Sequence, residues 1–197
     1  MKAWQIPLFV AGSALVATDV EAQTAVRVRG TITAIDGNSL SVKARDGRGL
    51  KLQLADNLTV AVAKAARFED IKPGDFVGST TRPGADGIPV ALEVHYLPPT
   101  VPEGASPWDL QPGSTMINAS VGALVISAGK RELTLKYKGE AQRVIVPDDA
   151  PIVRAVPGTR ADLVAGEYVF VGAQAAPDGA LSAARIQVSK DGVRPPQ

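Results

Sequence analysis

The sequence predicts an all-β protein built as two tandem small OB-like barrels of five strands each, and three observations point there. Apolar and polar residues alternate at period two along the chain, not at the 3.6 of a helix. Short alternating runs are cut by turn signals such as Asp36-Gly37-Asn38 and Asp46-Gly47. The same order of elements then recurs 92 positions further on.

The first strand is expected over VRVRGTITAI, residues 26–35. It places Val26, Val28 and Ile32 on one side and Arg27, Arg29, Thr31 and Thr33 on the other. DGN turns the chain, SLSVKAR alternates again, and after DGRG the run LKLQLA points Leu50, Leu52 and Leu54 inward. A short helix-capable stretch, KAARFEDI, precedes two further strands, the second ending in PVALEVHY. The copy follows. LADNLTV (54–60) aligns with VPDDAPI (146–152), FEDIKPGDFVG (68–78) with RADLVAGEYVF (160–170), and ADGIPVALEV (85–94) with PDGALSAARI (177–186). VRGTITAI resembles INASVGAL (117–124) at a slightly different offset, which a small insertion in the first hairpin explains. Matches fall on turn glycines, turn aspartates and inward apolar positions, the residues that a shared backbone constrains.

Three strands, a short helix and two strands is the order of an OB-type barrel. Closure removes the exposed edges that make small sheets aggregate; a sandwich of the same strands is the other closure. The expected domains are residues 24–98 and 115–190, with a tail over 191–197 expected to be flexible. Between them, residues 99–114 carry Pro99, Pro102, Pro107 and Pro112. These prolines predict an ordered, extended connector kept out of any sheet interior. Trp108 within it is expected to pack as a plug between the barrels.

The first 22 residues read as a cleaved secretory leader: Lys2 opens it, an apolar run covers Ala3 to Ala17, and Val20-Glu21-Ala22 suits a signal peptidase. The run is too short for a comfortable membrane span, and no later stretch is long enough. A periplasmic or secreted destination follows. There is no cysteine in the chain, so disulfides, thiol nucleophiles and zinc–thiolate sites are excluded. Loss of the leader removes Lys2, Asp19 and Glu21 and moves the formal charge from +1 to +2. That balance, with few stacking aromatics, argues against a nucleic-acid partner.

The chemistry on offer is sparse. Glu93 and the single histidine, His95, share one face of a strand and, with Glu103, make a metal-binding alternative. The competing reading is a solvated strand face with an incidental ion pair. Asp36, Asp46, Asp86, Asp148, Asp149 and Asp178 sit at turns, where aspartate stabilises the backbone. No nucleophile elbow, phosphate loop or dinucleotide fingerprint is present, and no cofactor is implied. Arg27, Arg29, Lys43, Arg45 and Lys51 project from outward positions of the first three strands, with Lys136, Lys138 and Arg143 in comparable places of the second half. On an OB-like barrel that outer face is a frequent binding surface.

VRGTI, GNSLSV, KPGDFVG, ALEVH and, most specifically, PWDLQPGSTMINASV resemble exported bacterial proteins of unknown function with tandem small OB-like β domains. The resemblance covers the mature chain and implies export and fold without an activity. The resemblance implies more histidine and glutamate ahead of the PWD turn; this chain departs from that pattern, with Glu103 alone there. The expectation is a non-enzymatic envelope binding or adaptor protein that takes an acidic partner, an anionic glycan or a lipid headgroup. A metal-handling protein is second, and an enzyme of unfamiliar design third.

Overall fold

The computed structural model describes residues 24–127 and 129–196. The leader expected over 1–22 lies outside the described residues. The chain is all-β, with a closed five-stranded barrel and further strands.

Strands β1 (Thr24–Asp36), β2 (Ser39–Ala44) and β3 (Gly49–Ala65) form an antiparallel meander, turned by Gly37 and by Asp46-Gly47. β4 (Phe76–Arg82), β5 (Val90–Tyr96) and a short β6 (Gly104–Pro107) follow. Then come β7 (Thr115–Ser127), β8 (Lys130–Tyr137), β9 (Glu140–Val146), β10 (Ile152–Pro157), β11 (Tyr168–Ala175) and β12 (Leu181–Val188). The helix-capable stretches reduce to single 3-10 turns at Phe68–Asp70 and Arg160–Asp162.

The barrel is not the one expected from residues 24–98. β11 pairs antiparallel with β1, and β12 pairs with β11 and runs parallel to β3, so strands 168–188 close the barrel begun by β1–β3. Its core is Val28, Ile32, Leu40, Val42, Leu52, Leu54, Val169, Val171, Ile186 and Val188, all buried. Period-two alternation supplies these residues from each strand in turn. The intervening strands surround a second core that includes Phe68, Val77, Val94, Ile117, Leu133, Leu135 and Val144. There β4 pairs with β5 and β7, β8 joins β7 to β9, and β5 meets β9 in parallel at Val90 and Ile145.

The physical reason for the crossing lies in β3. It is a single strand of 17 residues that continues past a bulge at 55–58, where its pairing with β12 shifts register. Its far end therefore leaves the first barrel, pairs with β10 and delivers Phe68 and Ile71 to the second core. The turn after β10 delivers Leu163 to the first core in the same way. Registers match across the crossing: Val77 pairs with Tyr96 and Val169 with Val188, each partner displaced by 92. The β3–β10 ladder centres on Ala63 and Ala155, which are themselves 92 apart.

Two connecting segments are also part of the packed structure. Gly104–Pro107 joins the sheet as an edge strand on β7, a position where a missing proline N–H costs nothing. The tail expected to be flexible is tucked in, with Pro195 and Pro196 buried. Proline suits such a place, because it has no N–H to satisfy and little backbone entropy to lose.

Candidate functional site

The loop after β6 is closed on itself before it touches the barrel. Trp108 N–H donates to Ser114 O at 2.8 Å, and the buried Ser114 hydroxyl lies 2.9 Å from Trp108 O and 2.7 Å from Gln111 O. Gly113 takes φ +75°, a conformation that glycine adopts without a Cβ penalty. The loop thus presents Trp108 and Asp109 from a fixed backbone.

Both meet β1. The Arg27 guanidinium lies 4.0 Å from the Trp108 ring centroid, and Arg29 sits 5.1 Å from the Phe170 centroid. Arg29 donates through both terminal nitrogens to the Asp109 carboxylate at 3.0 and 2.8 Å. Arg27 approaches the same carboxylate at 3.8 Å. Hydrogen bonds from Arg29 hold the Asp109 carboxyl below the usual carboxylate range, with burial working against them. Arg29 points out of the barrel, as alternation requires, yet it is only 7% exposed. The connector covers it, so it is a structural clamp and not a solvent-facing cation. Trp108 is half-buried on these arginines, and it lines a cavity with Phe170 of β11 and with Leu97 and Met116.

Lys43, Arg45 and Lys51 are exposed on the outside of β2 and β3 and in the turn between them. A hollow of about 250 Å³ opens at this end of the barrel, lined by Arg27, Arg29, Arg45, Arg48, Asp46 and Asp109. Asp46 is taken by Arg48 at 2.7 Å, as Asp109 is by Arg29. In the second half Arg143 is engaged by Glu132 through two bonds of 2.7 Å. Turn aspartates behave as their positions predict: Asp46 accepts from Arg48 N–H at 3.0 Å and Asp178 from Ala180 N–H at 2.9 Å.

No known family model, curated protein or solved structure matches this chain. Its sites rest on geometry alone.

Glu93 and His95 are brought together, but not on a solvated face. A bulge at Leu92 resets the strand, and both side chains are buried. Thr80 donates to Glu93 Oε1 at 2.9 Å, while His95 Nδ1 stands 3.7 Å from that oxygen. That separation is too long for a hydrogen bond. Burial pulls the His95 pKa down to about 4, so the ring is neutral at pH 7 and the pair is not an ion pair. Glu103 lies elsewhere: its Oε1 accepts the Lys138 N–H at 2.9 Å. Among the described residues no three histidine or carboxylate groups converge as a metal shell.

Sequence reasoning found both arginines and Trp108 but missed Asp109 as their partner. The only local signal was a carboxylate next to the connector's tryptophan.

Proposed function

We propose that this chain is an exported, non-enzymatic binding protein that offers the outside of its closed barrel to anionic groups of a glycan, lipid headgroup or envelope partner. The observation that carries the reading is the hollow beside Trp108. The Arg27 guanidinium lies over the indole there, 4.0 Å from its centroid, and Arg45 has no ion-pair partner among the described residues. A guanidinium already seated on an aromatic ring can present N–H groups to carboxylate, sulfate or phosphate with less further ordering than a free one. Lys43 and Lys51 extend the positive surface beyond the hollow.

The reading includes an internal duplication of an OB-like module, with the last two strands of each copy exchanged. Pairings that repeat at an offset of 92 support it, as does the parallel closure, which matches Ser182–Gln53 with Val90–Ile145. It also places the chain with the exported tandem-domain proteins that its sequence resembles. Sequencing the amino terminus of protein recovered from the periplasm tests export: Gln23 is the expected first residue.

Retention on immobilised heparin tests the binding face. The wild type should be retained and elute with salt, and K43E/R45E should elute at clearly lower salt, since each lost contact reduces the counterion-linked affinity. Equal elution of the two proteins would end the proposal.

A further inference from the structure

We propose that the cleft crossed by the C-terminal segment is a docking groove for an extended, proline-containing peptide, and that Val193–Pro196 of the chain is its resident occupant. This does not rest on the anion-binding reading and concerns a different surface.

The tail is hinged. Asp191 and Gly192 take φ of +52° and +79°, and Lys190 and Val193 exchange backbone bonds of 3.1 and 2.9 Å across them. Before the hinge, Lys190 Nζ is anchored 2.8 Å from Asp162. After it, among the described residues, no strand pairing involves 194–196. The segment nevertheless goes inward. The Arg194 guanidinium lies 4.8 Å from the Tyr168 ring centroid, and the two prolines that follow are buried.

What the prolines border defines the groove. Pro196 lines a cavity of about 220 Å³ together with Trp108, Phe170, Leu97, Met116 and His95. Pro195 and Val193 line one of about 670 Å³, with Phe68, Glu93 and Arg131 among its other residues. The tail therefore borders open space at both prolines. His95 borders the Pro196 cavity as well, with its Nδ1 sealed from solvent and turned to Glu93 Oε1 at 3.7 Å.

This is the chemistry of polyproline recognition. An X-Pro-Pro segment is already extended, so docking costs little order, and its rings pack on aromatic surface while a basic residue stacks beside them. A short tether also gives the tail a high effective concentration, on the order of millimolar, so modest contacts keep it seated. A partner must outcompete the tail or meet a chain from which it has been removed. The partner class is thus a protein segment with a basic residue ahead of two prolines.

A protease site introduced at the Asp191–Gly192 turn, in a W4F background that leaves Trp108 as the only indole, allows the test. The folded protein is cut, the released tail is removed, and the synthetic peptides VRPPQ and VRAAQ are titrated against Trp108 emission. Cut protein should bind VRPPQ at least about 10-fold more tightly than VRAAQ, and uncut protein should bind neither over the same range. Bound VRPPQ should also restore the thermal stability lost on cutting. Equal affinity for both peptides, or no binding by cut protein that keeps its circular dichroism, overturns the proposal. Unfolding on cleavage also overturns it, because the tail would then be core rather than a replaceable occupant.

Discussion

Asp109 accepts both terminal nitrogens of Arg29 across 80 positions of chain, and this bond ties the connector to the first strand of the barrel. The two partners are unequally buried: the Arg29 side chain is 6% exposed and the Asp109 side chain 50%. D109A leaves a covered guanidinium without its acceptor. The expected loss is about 2 kcal/mol, between the values for exposed and buried pairs, or a Tm lower by roughly 4–8 °C. The pH dependence has a defined sign. The folded-state pKa of Asp109 lies below its unfolded value, so the contribution is present above the unfolded pKa and lost as pH falls through the folded one. Urea melts at neutral and acid pH should show the gap between wild type and D109A closing on acidification; equal stability at neutral pH would refute the clamp.

His95 supplies a second acid-sensitive element by a different cause. Its pKa is pulled from 6.5 to about 4 by burial. The unfolded chain therefore binds more protons between those values, and stability is full above pH 6.5 and falls as pH drops toward 4. The shift corresponds to about 3 kcal/mol across that window. H95Q should flatten the stability profile between pH 4 and 6.5 while leaving the D109A effect in place. A profile unchanged by H95Q would mean that the ring is solvated in the folded protein.

The strand content and the inward-facing sets were legible in the sequence because both depend on local alternation. Leu50, Leu52 and Leu54 face the core, as do Val28 and Ile32, and Asp46 and Asp178 cap their turns. The pairing of the halves was not legible. β11 and β12 carry the same inward pattern as β4 and β5 at an offset of 92, so either pair fits the β1–β3 meander by local criteria. The choice rests on the length of β3, which carries on past its bulge at 55–58, at Asp56-Asn57, instead of turning there. Arg29 was misread for a related reason. Alternation says which side of a strand a residue occupies, and it says nothing about a loop arriving 80 positions later to cover that side.

Gly78 and Gly172 both lie in strands that follow a 3-10 turn, yet only one has room for a side chain. A Cβ at Gly78 would stand 2.4 Å from His95 Nε2 and 3.0 Å from Leu97 Cδ1, whereas one at Gly172 meets nothing within 4 Å. G78A should cost about 1–3 kcal/mol by forcing the buried ring to move, and G172A should stay within about 0.5 kcal/mol of wild type. Chemical denaturation of the two variants side by side checks the contrast. A harmless G78A would place His95 farther from β4 than the packing requires.

The crossed strands make a prediction about chain continuity. Residues 24–98 hold β1–β3 of the closed barrel together with β4 and β5, while the strands that finish the barrel, β11 and β12, come from beyond residue 115. Cutting the chain between Pro98 and Glu103 therefore breaks no strand and severs no core. Each fragment remains held by antiparallel ladders to the other at β1–β11, β4–β7 and β3–β10, and by the parallel pair β3–β12. Antiparallel ladders with buried cross-strand pairs are the strongest unit of sheet stability, and separating the fragments would expose both cores at once. A protease site placed at Thr100–Val101 should yield two fragments that co-elute at the size of the intact protein and part only on denaturation. Self-contained barrels from residues 24–98 and 115–190 would instead drift apart after cleavage, each keeping its own circular dichroism. Size-exclusion chromatography of the nicked chain distinguishes the two directly.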